Sequence, residues 1–203
     1  MSKAKTGRQI QAENTRRHIY ECASRLFIER GYENVTIEDV AAEANVSVGA
    51  FYHHFKSKQE IFALHHQSQD ELYQQFYDQV LCAPEHAASP ALDKLRLFIP
   101  YIIQVSVSHG VEYICAVYPN LLSNSRFGAD MVNRPYFQLL LRTVRQGQLE
   151  GSLRPELTAE SVVNNITILI RGCIWDWCIN NGDVRNMAPL QPAIDCFLRG
   201  LSV

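Results

Sequence analysis

The stretch "TIEDVAAEANVSVGAFYHHFKSKQEI", residues 36–61, decides the fold of this chain. Two short apolar patterns of helical period flank a polar turn. Thr36 is the predicted N-cap of the first helix, and Asp39, three residues later, is its capping-box partner. Asn45 accepts the left-handed backbone of a sharp turn, and Ser47 is a ready N-cap for the next helix. We therefore predict a helix-turn-helix arrangement.

A longer amphipathic helix precedes this motif, and we expect it to begin at about Asn14. Gly31 ends it, because glycine adopts the left-handed conformation that stops a helix. Residues 1–12 are polar and predict a loose arm. The apolar positions that indicate the helix are Ile19, Ala23, Leu26 and Phe27.

The remainder of the chain also has helical periodicity. Ser57 with Glu60 predicts a second capping box, which starts a connecting helix over about residues 57–81. A further helix begins at Ala91, and Pro100 predicts a kink or a break within it. The later predicted helices cover about residues 111–118, 135–150, 158–180 and 190–201. No segment alternates with period two, so the predicted fold class is all-α.

Composition excludes several classes of protein. The 203 residues carry a net charge of −2, which gives no global sign of nucleic-acid binding. The six cysteines lack metal-ligand spacing, so we expect no metal and no cofactor. The chain shows no signal peptide, no catalytic motif such as GxSxG or HExxH, and no apolar run that we expect to cross a membrane. It is predicted to be cytoplasmic, with reduced thiols, and not an enzyme.

The segments "ASRLFIERGYENVTIEDVAAEANVSVGAFYHHFKSKQEIF", residues 23–62, and "EGSLRPELTAESV", residues 150–162, carry a family resemblance. The chain resembles the TetR family of bacterial transcriptional regulators over its whole length. The resemblance implies an N-terminal arm and three-helix helix-turn-helix DNA-binding domain over residues 1–56. A helical domain for effector binding and dimerisation, residues 57–203, would follow. Repression is the common mode of the family.

A recognition helix needs short side chains at its N-terminal end to enter a major groove about 12 Å wide. Gly49 and Ala50 meet this need, and Val48 can touch a thymine methyl group. Many family members have a polar or basic residue where this chain has Val48, so the operator sequence stays open. The Ser47 hydroxyl can donate to a base or a phosphate, and the first turn of the helix at Thr36 can bind a phosphate. The resemblance implies that the tyrosine, the histidine and the two lysines contact phosphates. The predicted DNA-binding residues are Thr36, Ser47, Val48, Gly49, Ala50, Tyr52, His53, Lys56 and Lys58.

A short recognition helix makes few base contacts, so such proteins usually bind a palindrome as dimers. The segment 161–178 is apolar around well over half of its helix, which indicates burial on more than one side. The resemblance implies that this helix and the last one form a four-helix bundle between two subunits. The predicted homodimer interface comprises Val163, Ile166, Ile170, Ile174, Trp177, Ile194, Phe197, Leu198 and Leu201.

Family members hold a small organic effector between helices of the C-terminal domain. An aromatic-lined site with few polar groups suits such a molecule. The candidate effector residues are Tyr73, Phe76, Tyr101, Ile102, Tyr113, Cys115, Phe137, Leu169, Cys173 and Trp175. Any one of them is also compatible with plain core packing.

Two alternatives stay open at the level of sequence. The first is a DNA-binding redox sensor that switches through Cys115, Cys173 or Cys178. The second is a helical small-molecule-binding protein without DNA binding. Thiol titration tests the first, and a gel shift with measured salt dependence tests the second.

Overall fold

The computed structural model describes residues 6–108, 110–115, 132–183 and 190–203, with side chains 62–66 left out. Within those ranges the regular structure is helical, and the one β contact is an isolated bridge between Leu153 and Ser202. The predicted all-α fold is confirmed.

The helices, in chain order, are α1 (Gly7–Arg30), α2 (Ile37–Glu43), α3 (Val48–His54), α4 (Lys58–Phe76), α5 (Pro84–Ala87), α6 (Ala91–Val107), α7 (Pro135–Leu149), α8 (Ala159–Ile179) and α9 (Leu190–Leu201). A 3-10 turn, Tyr32–Asn34, follows α1, and a π-helical turn, Tyr77–Leu81, extends α4. Residues 111–115 are also helical, and the rest of the helix predicted over 111–118 lies outside the described residues.

The start of α1 corrects the predicted loose arm. The Thr6 hydroxyl accepts a hydrogen bond from the Gln9 N–H, and the Gln9 side chain accepts one from the Thr6 N–H at 2.9 Å. This capping box satisfies two of the free N–H groups of the first turn, so the helix begins seven residues before Asn14. Gly31 ends α1 with φ +79°, as the sequence predicts.

Two further expectations differ from the structure. The Glu60 carboxylate accepts from the backbone N–H of Lys56 at 2.6 Å, where the sequence predicted a capping box with Ser57. Pro100 causes no break, since α6 is one continuous helix. Phe98, Ile99 and Ile102 around the proline are buried, and this packing outweighs the one backbone hydrogen bond that proline removes.

The chain divides into two compact units. The head unit comprises Met1–His66 with Glu112–Leu121, and the C-terminal unit comprises Gln67–Val111 with Leu122–Val203. Because α4 belongs to both units by sequence, the domain boundary after residue 56 stays a prediction.

In the head unit, α2 packs against both α1 and α3. In the C-terminal unit, α6 packs against α7, α8 and α9, and α8 packs against α7. The core of the head unit includes Ile19, Phe27, Val40, Phe51 and Phe55. The core of the C-terminal unit includes Leu95, Phe98, Leu140, Ile166 and Leu198.

Helix α8 is long and apolar enough to cross a membrane when judged by length and composition alone. The core helix of a soluble protein meets the same criterion, and 44% of the apolar window of α8 is buried inside the chain. Its hydropathy is therefore weak evidence for a membrane span.

Candidate nucleic-acid interface and effector unit

The turn between α2 and α3 has the geometry of a helix-turn-helix. Asn45 has φ +52°, in the left-handed region that asparagine tolerates better than most side chains. The Val46 N–H donates to the Ala41 carbonyl at 2.9 Å, which closes the end of α2. The Ser47 hydroxyl then accepts from the Ala50 N–H at 3.1 Å and caps α3. The Ser47 side chain thus fixes the start of α3.

The outer face of α3 carries small and polar side chains. Gly49 is exposed, and a Cβ built on it would meet only the Ser47 hydroxyl, at 3.9 Å. Tyr52 is 53% exposed, and His53 is exposed beside it. Val48 and Ala50 are half-buried at the first turn. This face has the low relief that entry into a major groove requires.

The inner face of α3 holds the helix in place. Phe51 and Phe55 are fully buried, with ring centroids 5.7 Å apart. The Arg16 guanidinium lies over the Phe55 ring at 5.1 Å and pairs with Glu60 at 3.8 Å. Helix α1 therefore contributes a cation that packs on the anchor of α3 and also reaches the start of α4.

Lys58 has an internal role that the sequence did not predict. Its ammonium donates to the carbonyl oxygens of Tyr32 at 2.9 Å and Val35 at 2.7 Å, and it lies 4.2 Å from the Tyr32 ring centroid. Two of the three donors of the ammonium are thus bonded to backbone carbonyl oxygens, and its charge lies against an aromatic ring. We therefore remove Lys58 from the proposed phosphate contacts. Lys56, two residues earlier, is exposed and remains one.

Thr36 is also engaged within the chain. Its hydroxyl donates to the Asp39 carboxylate at 2.7 Å and accepts from the Asp39 N–H at 3.1 Å. The Thr36 N–H donates to the same carboxylate at 2.8 Å. The residue is exposed, so a phosphate contact stays a prediction, but its hydroxyl already serves the cap.

His54 differs from its neighbour His53. It is half-buried, and burial lowers its pKa, with smaller contributions from the charges of His53 and Arg16. The neutral imidazole is therefore favoured at His54. The two rings meet edge to face, with centroids 5.3 Å apart.

An aromatic cluster lies between α4, α6 and α7 in the C-terminal unit. Phe76 stacks on Tyr101 with centroids 4.0 Å apart, and both rings are half-buried. The Tyr73 ring meets those of Tyr101 at 6.4 Å and Tyr136 at 6.0 Å. Of the predicted effector residues, the structure brings together Tyr73, Phe76 and Tyr101.

Polar groups border this cluster. The Tyr73 hydroxyl lies 3.1 Å from the Ser106 hydroxyl and donates to the Ile102 carbonyl at 3.4 Å, so Ile102 contributes its backbone. Burial raises the pKa of Tyr73, which keeps the phenol protonated. Asp70, one turn before Tyr73, forms a two-point ion pair with Arg134. Neither charged residue was predicted from the sequence, because their separation of 64 positions gives no local signal.

Other predicted effector residues lie elsewhere. Tyr113 belongs to the head unit, where it is fully buried near Tyr20 and Ser24 of α1. Cys115 is exposed, and Trp175 is 60% exposed on α8. These three do not join the aromatic cluster. Phe137 and Cys173 are buried and Leu169 is half-buried, so their contact with an effector stays a prediction.

The cysteines give the redox alternative no support. Burial, together with the charge of Asp176, raises the pKa of Cys173 and disfavours the reactive thiolate. Among the residues that the structure describes, no disulfide forms, and no group of His, Cys, Asp and Glu is arranged to hold a metal ion.

The predicted dimer interface requires a correction. Eight of its nine residues are buried within the single chain, and Phe197 is half-buried. The eight buried residues therefore belong to the core of the chain, and Phe197 stays a predicted interface residue. The eight are Val163, Ile166, Ile170, Ile174, Trp177, Ile194, Leu198 and Leu201.

The opposite side of α8 carries the exposed apolar surface. Ile168, Trp175 and Ile179 are 64%, 60% and 64% exposed. Gly172 lies between them, with nothing within 4 Å of a Cβ built on it. The spacing of four, three and four residues places these side chains along one stripe of the helix. We call these four residues the α8 stripe.

The turn at Asn45, the capped α3 and its low outer face define a DNA-binding regulator of the helix-turn-helix class. Residues 19–64 match the family model described as bacterial regulatory proteins, tetR family. This part of the chain belongs to that family.

Named relatives match most of the chain. The HTH-type transcriptional repressor DhaR of Mycobacterium sp. strain GP1 is 26% identical over 183 residues, 87% of this chain and 86% of that one. The HTH-type transcriptional repressor KstR2 of Mycobacterium tuberculosis, strain CDC 1551 / Oshkosh, is 27% identical over 174 residues, 81% of this chain and 80% of its own.

Solved structures share the fold. The ketosteroid transcriptional regulator KstR2 of Mycobacterium tuberculosis has a TM-score of 0.58 and 22% identity, and the match covers 93% of this chain and 95% of that one. Salmonella enterica GusR has a TM-score of 0.67 and 16% identity, with coverage of 92% and 96%.

Proposed function

We propose that this protein is a cytoplasmic transcriptional repressor that binds a palindromic operator as a homodimer and is released by a small organic effector. The observation that carries the proposal is the self-capped α3, which follows the left-handed Asn45 and exposes Gly49 at its start. The names of DhaR and KstR2, both transcriptional repressors, support the direction of regulation.

The first turn of α3 reads the operator in this proposal. Val48 contacts a thymine methyl group, Ala50 packs close to the base edges, and the absent side chain of Gly49 allows close approach. Tyr52, His53 and Lys56 lie beyond that turn and contact phosphates, which fix the register without reading sequence.

A second copy of the chain completes the DNA-binding protein. Two recognition helices are needed because three small residues give too few contacts for a specific site. The α8 stripe supplies an apolar surface that water would otherwise cover, and burying each of its large side chains contributes about 1.5–3 kcal/mol. Small residues of α9 are exposed as well, at a helical spacing of three and four residues, namely Ala193, Cys196 and Gly200.

The effector binds in the C-terminal unit, at the aromatic cluster of α4, α6 and α7. Phe76 and Tyr101 are the half-buried members, and they offer a stacking surface for an organic molecule. Because α4 begins at Lys58, three residues after Phe55, which anchors α3, a shift of α4 on effector binding changes the population of DNA-competent dimers.

The substitution Gly49→Ala tests the DNA-binding role of α3. The added Cβ fits the free protein, and alanine favours the helix over glycine. We therefore expect the free energy of unfolding to rise by about 0.5–1 kcal/mol. The same methyl group obstructs the groove, so we expect weaker binding to a palindrome selected from random duplexes by the wild-type chain. Fluorescence anisotropy at several salt concentrations measures the affinity.

Gly7→Ala is the matched control, since a Cβ there meets nothing within 4 Å and the residue likewise lies in the first turn of its helix. It should leave operator affinity unchanged. A wild-type chain that selects no common sequence, or a Gly49→Ala variant that binds the selected palindrome normally, contradicts the proposal.

A further inference from the structure

Helix α4 carries a glutamine in an environment where glutamine is rarely found. Gln69 is 5% exposed, whereas most glutamine side chains of folded proteins lie at the surface. Among the residues that the structure describes, its amide forms no hydrogen bond, although it has two N–H donors and an acceptor oxygen. A polar group removed from water without a partner costs free energy. The fold alone therefore does not account for this amide.

The helical register places Gln69 next to the aromatic cluster. Tyr73 follows it by four residues and Phe76 by seven, and residues at these separations share one face of a helix. On that face the Phe76 ring stacks on Tyr101, and the Tyr73 hydroxyl lies 3.1 Å from the Ser106 hydroxyl. Helices α4 and α6 therefore run antiparallel at the cluster. Gln69, one turn before Tyr73, lies toward the C-terminal end of α6.

The other polar side chains that border the cluster are already paired. Arg134 donates to Asp70 from Nε at 3.2 Å and from Nη2 at 3.1 Å, and the two side chains are 16% and 10% exposed. The Ser106 hydroxyl donates to the Ile102 carbonyl of its own helix at 2.8 Å. The opposite charges of Asp70 and Arg134 neutralise each other. The Gln69 amide is thus the bordering group whose hydrogen-bonding capacity is left for a ligand.

From this juxtaposition we infer that the effector is an uncharged aromatic carboxamide, and that Gln69 binds its amide group. Two primary amides exchange a donor and an acceptor in one planar pair, which uses both ends of the glutamine side chain. An ionic group at this position would lose its hydration without gaining a counter-charge, because the ion pair beside it is closed. The inference rests on the proposed function, because it names the chemical class of that effector.

The aromatic part of the ligand lies on the stacked pair of Phe76 and Tyr101. Both rings are half-buried, so they offer aromatic surface to an incoming ring, whereas Tyr73 between them and Gln69 is buried. The seven residues from Gln69 to Phe76 correspond to about 10 Å along the axis of α4. The ligand therefore has a short spacer or a fused ring between its aromatic end and its amide.

Binding of matched probes to the full-length protein tests the inference. The probes are 4-phenylbutyramide and naphthalene-2-carboxamide, each compared at neutral pH with the carboxylic acid and the primary amine of the same carbon framework. Ligand-observed NMR titration at constant ionic strength measures the affinities. We expect at least one carboxamide to bind, and its acid and amine to bind at least about tenfold more weakly.

The substitution Gln69→Met removes the amide and keeps the length of the side chain. Methionine leaves no polar group to be paired, so we expect a higher melting temperature of the free protein. The same variant should bind the carboxamide at least about tenfold more weakly, because the paired hydrogen bonds are lost. Gln75→Met is the control, since Gln75 is an exposed glutamine of the same helix, and it should change neither quantity.

The wild-type and variant results decide the inference. It is overturned if neither carboxamide binds, if an acid or amine binds more tightly than its carboxamide, or if Gln69→Met leaves the carboxamide affinity unchanged. A lower melting temperature of Gln69→Met also overturns it, because the amide would then be a structural group. Operator binding is measured separately: a dimer that binds its palindrome but no carboxamide retains the proposed function and refutes only this inference.

Discussion

The Lys58 ammonium donates to the Val35 carbonyl oxygen at 2.7 Å, across 23 positions of the chain. This bond ties the start of α4 to the loop that precedes α2. The side chain of Lys56, in contrast, is exposed. Two lysines of nearly the same sequence context therefore have separate roles, one in folding and one available to DNA.

Replacing each lysine by methionine separates these roles. Lys58→Met removes two hydrogen bonds from a charged donor, so we expect a loss of about 1–3 kcal/mol in the free energy of unfolding. The slope of log affinity against log salt should not change. Lys56→Met should leave stability nearly unchanged and reduce that slope by about one for each subunit. Denaturant titration and anisotropy measure the two quantities, and exchanged outcomes would restore Lys58 as a phosphate contact.

Trp175→Glu tests the α8 stripe as the subunit interface. A carboxylate at the centre of an apolar interface loses its hydration without a partner, so we expect a folded monomer. Affinity for a palindrome should fall by more than about tenfold, because one head binds weakly. Sedimentation velocity measures the mass. The control is Leu149→Glu, which changes another highly exposed apolar residue outside the stripe and should remain dimeric.

The Thr36–Asp39 cap predicts a loss of stability in acid. Hydrogen bonds from the Thr36 N–H and then from its hydroxyl lower the pKa of Asp39 below its ordinary value of 3.8. A carboxylate with a depressed folded pKa stabilises the protein above the unfolded value, and the contribution disappears as the pH falls through the folded value. Asp39→Asn should reduce the difference in melting temperature between neutral and acidic buffer. Asp78→Asn, an exposed carboxylate outside any cap, is the control.

Gly147→Ala tests the packing at the end of α7. A Cβ there would lie 2.5 Å from Leu153 Cδ1 and 2.8 Å from the Ala91 Cβ. Such overpacking costs about 1–3 kcal/mol, which a lowered melting temperature would show. In a Leu153→Ala background, Gly147→Ala should lower the melting temperature less than it does in the wild-type chain. Additive effects of the two substitutions would contradict this account of the contact.

The head unit was largely predictable because its signals are local. Thr36, Asn45 and Ser47 each act on backbone groups within a few residues, so a reader of the sequence can place them. The start of α1 was missed although Thr6 and Gln9 form the same kind of local box. The polar composition of residues 1–12 outweighed that signal in the prediction.

The proposed dimer surface was not predictable in the same way. Helix α8 is apolar on two sides, and periodicity does not say which side packs on its own chain. The structure assigns Ile166 and Ile170 to the core and leaves Ile168 and Trp175 exposed. Only the packing of α8 on α6 and α7 decides which of its apolar sides is buried and which is exposed.

The candidate effector site was only partly predictable from the sequence, for a related reason. Tyr73, Phe76 and Tyr101 were found from composition and spacing, whereas Asp70 and Arg134 meet only through the fold. Tyr113 was assigned to the same site because it is aromatic, but it is buried in the head unit. Residue type alone does not distinguish a ligand contact from a structural one.

The paired caps of α2 and α3 have a thermodynamic consequence for DNA recognition. Thr36 and Ser47 order the two helices in the free protein, so complex formation does not require these segments to fold. The heat-capacity change on binding should then reflect only the surface removed from water. An operator complex of this protein is therefore expected to form between two preorganised shapes, with little of its binding free energy offset by loss of backbone entropy in the head.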